Sequence, residues 1–397
     1  MSEQPPRVLH VGKYLPPVPG GIETYLGDLL RVSMRHGMPV GAIVHEKRGY
    51  PKPNPDDFGG AKIYSVPTYG QLLYAPVAPS FPWRLRQAIR DFKPDILHLH
   101  MPNTSVFAAL LLPEARAIPW VVHWHADVVV GRMSMWMRLA YKLYKPFETA
   151  LLRYARSVIA TSDDYLAASE PLQAWRQKCK VIPLAIDPER LVKPTNQQIK
   201  AAALMWPKPN ETRFLAVGRL TYYKGYDLLI RAMKDVPSGS LVIVGEGELR
   251  SSLQKTINEL QLGDRVRLTG SISSSDLSAF YAAADTFCMT SIDRSEAFGL
   301  VLLEAAYHGC DIISCHIDGS GVGSVASRLG QSTTPRHGIT HALILKSGFR
   351  RPSPAEPAVP DALLLSNVGS SLWMGVYSAL NLTSSAILSS QVRTGAE

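Results

Sequence analysis

The sequence predicts an α/β protein of two doubly wound domains. Three observations carry that expectation. Short apolar strand-like runs alternate with segments of helical period, the pattern restarts near Arg213, and 397 residues are enough for two cores.

In the first half, residues 7–12 form an apolar run suited to a buried strand. The loop Lys13-Tyr14-Leu15-Pro16-Pro17-Val18-Pro19-Gly20-Gly21 follows, and residues 22–35 read as a helix with Ile22, Tyr25, Leu26, Leu29, Leu30 and Val32 toward one side. Further strands are expected at 40–45, 94–100, 119–125, 157–161 and 181–183. In the second half, strands are expected at 213–218, 240–245, 266–269 and 286–290, and helices at 225–233, 248–260, 277–284 and 297–306. The divide falls near Leu184-Ala185-Ile186-Asp187-Pro188, giving domains 1–186 and 187–323. Two such domains would face a cleft at the carboxyl ends of their strands, the default ligand site.

After Ser324 the character changes. Only Glu356, Asp361 and Glu397 are acidic there, and Ser, Pro and Gly are frequent. Residues 348–360 read as a linker. Residues 362–392 carry no formal charge, but Ser, Asn and Thr interrupt them throughout, which argues against a transmembrane helix. Residues 324–397 are therefore expected to be an atypical, disordered or frame-changed tail.

A net charge of +9 suits nucleic acid, an anionic membrane surface or anionic substrates without choosing among them. No nucleic-acid motif is present. The polar start Met1-Ser2-Glu3-Gln4-Pro5-Pro6 lacks a signal-peptide core, which favours a cytoplasmic location. Cys179, Cys288, Cys310 and Cys315 are scattered, so neither a zinc site nor a disulfide framework is indicated.

The chemistry-bearing stretches sit where strands turn into helices. Gly218-Arg219-Leu220-Thr221-Tyr222-Tyr223-Lys224-Gly225 places two cations where they can embrace a diphosphate, Arg219 as a planar fork and Lys224 as a point charge. Two solvated surface cations would read the same. Gly245-Glu246-Gly247 follows another strand and allows close backbone approach, although such glycine pairs mark many turns. In Ser295-Glu296-Ala297-Phe298-Gly299-Leu300-Val301-Leu302-Leu303-Glu304, carboxylates stand at 296 and 304. At about 100° per residue they would not share a face of one continuous helix. Glu296 is expected in the preceding loop and Glu304 in the second turn, flanking a helix start that offers N–H groups to an anion. The bland alternative is a buried helix with a capping Glu.

Gly20 and Gly21 open the first helix as another anion site. The GxGxxG spacing is absent from both first loops, which counts against an NAD enzyme. His123-Trp124-His125-Ala126-Asp127 ends a strand; His125 can bond a sugar hydroxyl or carry a proton, with Asp127 orienting it or contacting substrate. His123 and His125 share a face, but no third ligand is evident, so metal is not favoured. Residues 131–156 mix Arg132, Arg138, Lys142, Lys145, Arg153 and Arg156 with Met, Trp, Leu, Tyr and Phe. That suits either an anionic membrane surface or an ordinary solvated helix face.

Taken in order, these motifs resemble glycosyltransferase family 4, the retaining nucleotide-sugar transferases of GT-B fold, over roughly residues 7–323. Glu296 and Glu304 match that family's Glu-x7-Glu spacing, and within it the sequence looks most like bacterial mannosyltransferases of lipopolysaccharide or exopolysaccharide assembly. The resemblance implies that Arg219 and Lys224 meet the donor diphosphate. It implies that Gly218 and Glu246 line the donor site, that the Phe298, Gly299 and Leu300 amides meet phosphate, and that Glu304 holds the ribose hydroxyls. Glu296 would contact a donor-sugar hydroxyl, Gly20 and Gly21 would approach the donor phosphate, and His125 would bond the transferring sugar, with Asp127 on the acceptor side. It implies no metal and no cofactor, a nucleotide-sugar donor, a glycan or polyprenyl-linked acceptor, and peripheral work at the cytoplasmic face of an inner membrane. The sequence after Ser324 departs from the family pattern. A sugar-nucleotide epimerase of the same fold and an inactive nucleotide-sugar-binding protein remain the alternatives.

Overall fold

The computed structural model describes residues 5–72, 75–128, 135–349 and 359–365. Contacts divide the chain into two compact units, one ending at Asp187 and rejoined at Leu365, the other spanning Pro188–Leu364.

The first unit is a seven-stranded sheet, and every register within it is parallel. Its strands are β1 Val8–Val11, β2 Val40–His45, β3 Lys62–Val66, β4 Ile96–Met101, β5 Trp120–Trp124, β6 Ser157–Ala160 and β7 Cys179–Val181, in the order β3-β2-β1-β4-β5-β6-β7. Strands β1, β2, β4, β5 and β6 are buried along their whole length, as a parallel sheet covered on both faces requires. The helix Gly21–Arg35 buries Tyr25, Leu26, Leu29, Leu30 and Val32, as read from the sequence, while Ile22, expected with them in the first turn, is only half-buried. The expected strand at 181–183 lies instead at Cys179–Val181, and β3 was not foreseen. β3 is a half-exposed edge strand, so no continuous apolar run marks it.

The second unit repeats the plan with β8 Arg213–Val217, β9 Ser240–Val244, β10 Val266–Gly270, β11 Thr286–Met289, β12 Asp311–Cys315 and β13 Thr333–Thr334, ordered β10-β9-β8-β11-β12-β13. Two helix boundaries move for identifiable reasons. The helix expected from 277 begins at Ser274, because the Ser273 hydroxyl accepts the Asp276 amide as an N-cap at 3.2 Å. The helix expected from 297 begins at Leu300, because Gly299 is left-handed (φ 82°) and cannot belong to its first turn.

The expectation of an unstructured tail from Ser324 is corrected for residues 324–349. β13 pairs in parallel with β12 through Ser314↔Thr333, and the helix Ile339–Lys346 buries Ile339 and Leu343 in the core with Phe214, Leu229, Ile243 and Ile313. The four-residue spacing of Ile339 and Leu343 supplies that core-facing side despite the polar composition around it. The second unit therefore extends past 323. Farther on, Leu365 is buried and its amide donates to the Ile186 carbonyl at 2.8 Å. The uncharged stretch 366–392 lies outside the described residues.

Candidate functional site

In the second unit, the carboxyl ends of β8 and β9 deliver two loops that are tied together. The Gly218 amide donates to the Val244 carbonyl and the Leu220 amide to the Glu246 carbonyl, both at 2.9 Å. A short turn, Tyr222–Lys224, then leads into the helix Tyr226–Ala232. Gly225 joins them at φ 66°, and a Cβ there would stand 2.1 Å from the Thr290 carbonyl oxygen, so the approach of this loop to the end of β11 admits only glycine.

That approach buries Lys224 against the loop after β11. Its ammonium donates to Glu296 Oε2 at 2.6 Å, and the Ser291 hydroxyl donates to the same oxygen at 2.9 Å. The Ser320 hydroxyl donates to the Glu296 carbonyl and anchors the loop. Burial works against charge on Lys224, but Glu296 outweighs it and, with Tyr223 and Tyr226, holds the amine above its ordinary range. The pair is a preformed, charged feature in a mostly desolvated setting.

Glu296 lies in the loop and Glu304 in the second turn of the helix Leu300–Tyr307, as read from the sequence. Both Glu304 oxygens are engaged: Oε1 accepts from Arg190 at 2.8 Å and Oε2 from the Tyr281 hydroxyl at 3.1 Å. Phe298, Gly299 and Leu300 are buried at the helix start. Arg219 is exposed and lies 3.4 Å from Glu248 Oε2, while the Thr221 hydroxyl donates to Glu248 Oε1 at 2.6 Å. Glu246 is paired on the surface with Arg250 at 3.1 Å. Arg190, Glu248 and Tyr281 were not singled out from sequence. Arg190 stands three residues after the noticed Asp187, and that position was the available signal.

In the first unit, Gly20 and Gly21 open the helix Gly21–Arg35, and a Cβ on Gly21 would meet nothing within 4 Å. Glu23, not foreseen, leans over Gly20, and burial raises its carboxyl above the usual range. Asp127 Oδ1 accepts from Trp124 Nε1 and from the Ser169 hydroxyl, each at 2.7 Å. Its amide meets the Tyr165 hydroxyl at 2.6 Å. Nearby, burial pushes the Glu148 carboxyl up to about 7, against the bond from Tyr141 and with Asp127 adding to the rise.

His125 is not alone. His10 on β1, His98 and His100 on β4, His123 on β5 and His125 just after it are all buried. Alternation puts 98 with 100 and 123 with 125 on one face, and the registers His10↔His98 and His100↔His123 bring the strands' histidines alongside. His100 joins its neighbours through both ring nitrogens: Nε2 lies 3.0 Å from His10 Nδ1, and Nδ1 lies 2.9 Å from His125 Nε2. Tyr25 meets His123 and His125 edge-on. Burial pushes all five imidazoles down, His98 and His125 to about 3, and for all but His98 neighbouring histidines reinforce the shift.

Two sequence readings are corrected here. His125 Nδ1 has no hydrogen-bond partner and Nε2 bonds His100, so His100, and not Asp127, orients the ring. Further potential ligands also exist: His10, His98 and His100, and likewise His100, His123 and His125, each place one nitrogen apiece within 4.8 Å of the others. In the second group the ring planes lie within 19° of parallel. Lone pairs lie in the ring planes, so these run side by side instead of converging on a tetrahedral centre.

Known proteins resemble the chain in both units. Residues 20–185 match the family described as "Glycosyl transferase 4-like domain" and residues 205–325 the one described as "Glycosyl transferases group 1". The D-rhamnosyltransferase WbpZ of Pseudomonas aeruginosa is 30% identical over 315 residues, covering 78% of each chain. The O-antigen chain mannosyltransferase C of Escherichia coli is 28% identical over 321 residues, covering 78% of this chain and 80% of that one. Among solved structures, Anabaena HepE in complex with UDP and glucose superposes with a TM-score of 0.71 at 18% identity, over 94% of this chain and 100% of that one. Sucrose-phosphate synthase from Thermosynechococcus elongatus gives a TM-score of 0.69 at 20% identity, over 98% of both. At those identities the structural likeness is one of fold. Two sheets of one strand order, family matches in both units and a relative at 30% identity lead to one conclusion: the chain belongs to glycosyltransferase family 4 and is a glycosyltransferase of GT-B fold.

Proposed function

We propose that the chain is a retaining hexosyltransferase that moves a mannose-like sugar from a nucleotide-diphosphate sugar to a glycan or polyprenyl-linked acceptor in cell-surface polysaccharide synthesis. The observation that carries this is the buried Lys224–Glu296 pair, its lysine on the loop that also carries Arg219, with Glu304 one helix turn beyond the loop of Glu296. The names of the relatives support the sugar class, a D-rhamnosyltransferase and an O-antigen mannosyltransferase.

Breaking the anomeric C–O bond builds an oxocarbenium-like centre and pushes charge onto the leaving diphosphate. Arg219, Lys224 and the helix start at Leu300 are the groups that stabilise that charge, so the reading requires no metal or cofactor. Glu296 then has a carboxylate oriented by Lys224 and Ser291 to accept from a donor-sugar hydroxyl. Glu304 takes the ribose diol, sharing its oxygens with Arg190 and Tyr281. Gly21 leaves space for a phosphate at the helix start next to Gly20, Gly218 and Glu246 border the donor loop, and His125 bonds the transferring sugar. Retention follows from attack on the face the diphosphate leaves, with the phosphate accepting the acceptor's proton. No covalent nucleophile is assigned. Screening UDP-, GDP- and ADP-sugars with glycan and polyprenyl-linked acceptors tests the reading. Acceptor-dependent nucleotide release from one of them is expected, and release of an epimerised sugar without an acceptor would replace it.

The helix Met135–Tyr154 supports work at a membrane surface. Met135, Leu139, Leu143 and Phe147 are exposed at four-residue spacing, and Lys142, Lys145 and Arg153 line a shallow groove with Pro146, Thr149 and Ala150. Among the described residues no helix is long and apolar enough to cross a membrane. Each cation near an anionic surface contributes about 1 kcal/mol. Reversing Lys142, Lys145 and Arg153 to Glu is therefore expected to cut binding to phosphatidylglycerol vesicles at least tenfold in sedimentation. Unchanged binding would remove this surface from the proposal.

A further inference from the structure

We propose that Arg190 and Tyr281 are positioning residues that leave one acceptor site open on each oxygen of Glu304, so that Glu304 reads the intact 2′,3′-diol of a ribonucleotide donor and rejects deoxyribonucleotides. This rests on the reading of Glu304 as the ribose contact, and one binding experiment separates the failure of either from that of the other.

Three stretches of the second unit meet at this carboxylate. Glu304 lies in the second turn of the helix Leu300–Tyr307, Tyr281 near the end of the helix Ser274–Ala283, and Arg190 closes the short turn Pro188–Arg190. Arg190 Nη2 donates to Oε1 at 2.8 Å and the Tyr281 hydroxyl to Oε2 at 3.1 Å. A guanidinium serving only as a counter-ion pairs a carboxylate best with both arms of its fork. Here the fork meets one oxygen, and a neutral hydroxyl takes the other. An ionised carboxylate has about four lone-pair sites, two on each oxygen. With one taken on each, Glu304 keeps one acceptor site per oxygen, and a vicinal diol offers two O–H donors to fill them.

The surroundings suit a carboxylate held still at the edge of the core. The Glu304 side chain remains 10% exposed and that of Arg190 16%, so the pair borders solvent and is not sealed in. Tyr281 is buried, the His308 ring lies parallel to it at 5.8 Å between centroids, and Cys310 Sγ donates to its carbonyl at 3.0 Å. Burial and the Glu304 charge hold the phenol well above its ordinary range, so it stays a donor. Glu304 stands four residues past Leu300, about 6 Å along the helix axis. A ribose spans such a gap between its 5′-phosphate and its diol, which joins this carboxylate to the helix start at Phe298, Gly299 and Leu300.

Titration calorimetry of the full chain with UDP, GDP and ADP, each beside its 2′-deoxy and 3′-deoxy form, tests this. The ribonucleotide that binds is expected to do so about ten- to hundredfold more tightly than either deoxy form, the worth of one hydrogen bond to a charged group. Tyr281→Phe keeps the ring and its stacking but releases Oε2, and Arg190→Gln withdraws the arm that holds Oε1. A deoxynucleotide has already lost the bond that a misplaced carboxylate forfeits, so only the ribonucleotide weakens much. The ratio is therefore expected to fall to about threefold or less in both variants, a coupling between side chain and ligand hydroxyl. Tyr281→Phe, which removes a single oxygen, decides the outcome if Arg190→Gln lowers the melting temperature. A tie that only fastens the turn Pro188–Arg190 to the helix would weaken ribo- and deoxynucleotide alike. An unchanged ratio would thus overturn the positioning role while the ribose reading stands. A ratio near one in the unaltered chain, or no binding of any of the three, would overturn both.

Discussion

Transfer by the Lys224→Met, Glu296→Gln double variant is expected to be two to three orders of magnitude slower than by the unaltered chain, while its melting temperature stays close. The double variant is the informative one. Removing either partner alone strands the other charge where both side chains are nearly buried, at a cost of about 3–5 kcal/mol, so a single variant confuses unfolding with lost catalysis. Removing both charges avoids that penalty and leaves room for a neutral hydrogen bond. What is lost is the cation next to the leaving diphosphate and the carboxylate oriented toward the sugar. Losing one such preorganised group commonly costs about 10²–10³ in kcat. Nucleotide release measured beside a thermal melt checks both halves. Turnover within threefold of the original, with the melt unchanged, would show that this pair is structural.

The first unit is expected to lose its structure near pH 5, well above the acid range in which carboxylates alone are protonated. His10, His98, His100, His123 and His125 are buried, and each titrates below the ordinary imidazole value of 6.5 when folded. His45, pushed down to about 4 by burial, behaves alike. Because the folded values lie below the unfolded one, the unfolded chain takes up protons that the folded chain refuses. The stability is fully present above pH 6.5 and is lost as pH falls from there toward about 3, where His98 and His125 titrate in the fold. By pH 5 each such histidine contributes a loss of roughly 2 kcal/mol, and several together rival the about 5–15 kcal/mol that holds a domain. Glu23 and Glu148 are raised by burial and work in the opposite direction, but they are two against six. Near-ultraviolet circular dichroism from pH 7.5 to 4.5 reads this transition. A signal that persists to pH 4.5 would mean that the array accepts charge without opening.

Much of the fold was legible because its strands are buried on both faces. Runs such as Val40–His45 and Ser240–Val244 are apolar throughout and bounded by turns. β3 escaped because an edge strand lacks that signature. The helix Ile339–Lys346 escaped because composition around it outweighed the two residues, Ile339 and Leu343, that enter the core. In the candidate site, the loop position of Glu296 and the helical position of Glu304 were legible from a single glycine and an apolar run. Their partners were not.

The sequence by itself determined the two α/β units, the strand-to-helix loops that carry Arg219, Lys224 and Glu296, and the pairing of His123 with His125 on one strand face. All of these follow from periodicity and turn chemistry, which act over a few residues. Tertiary structure alone decided that Lys224 meets Glu296, 72 residues away, that Arg190 meets Glu304, 114 residues away, and that His10 and His100 stand behind His125. Parallel strands are joined by long crossovers, so which residues come to lie side by side depends on strand order and register. Both are set by packing the whole sheet, and no local spacing records them.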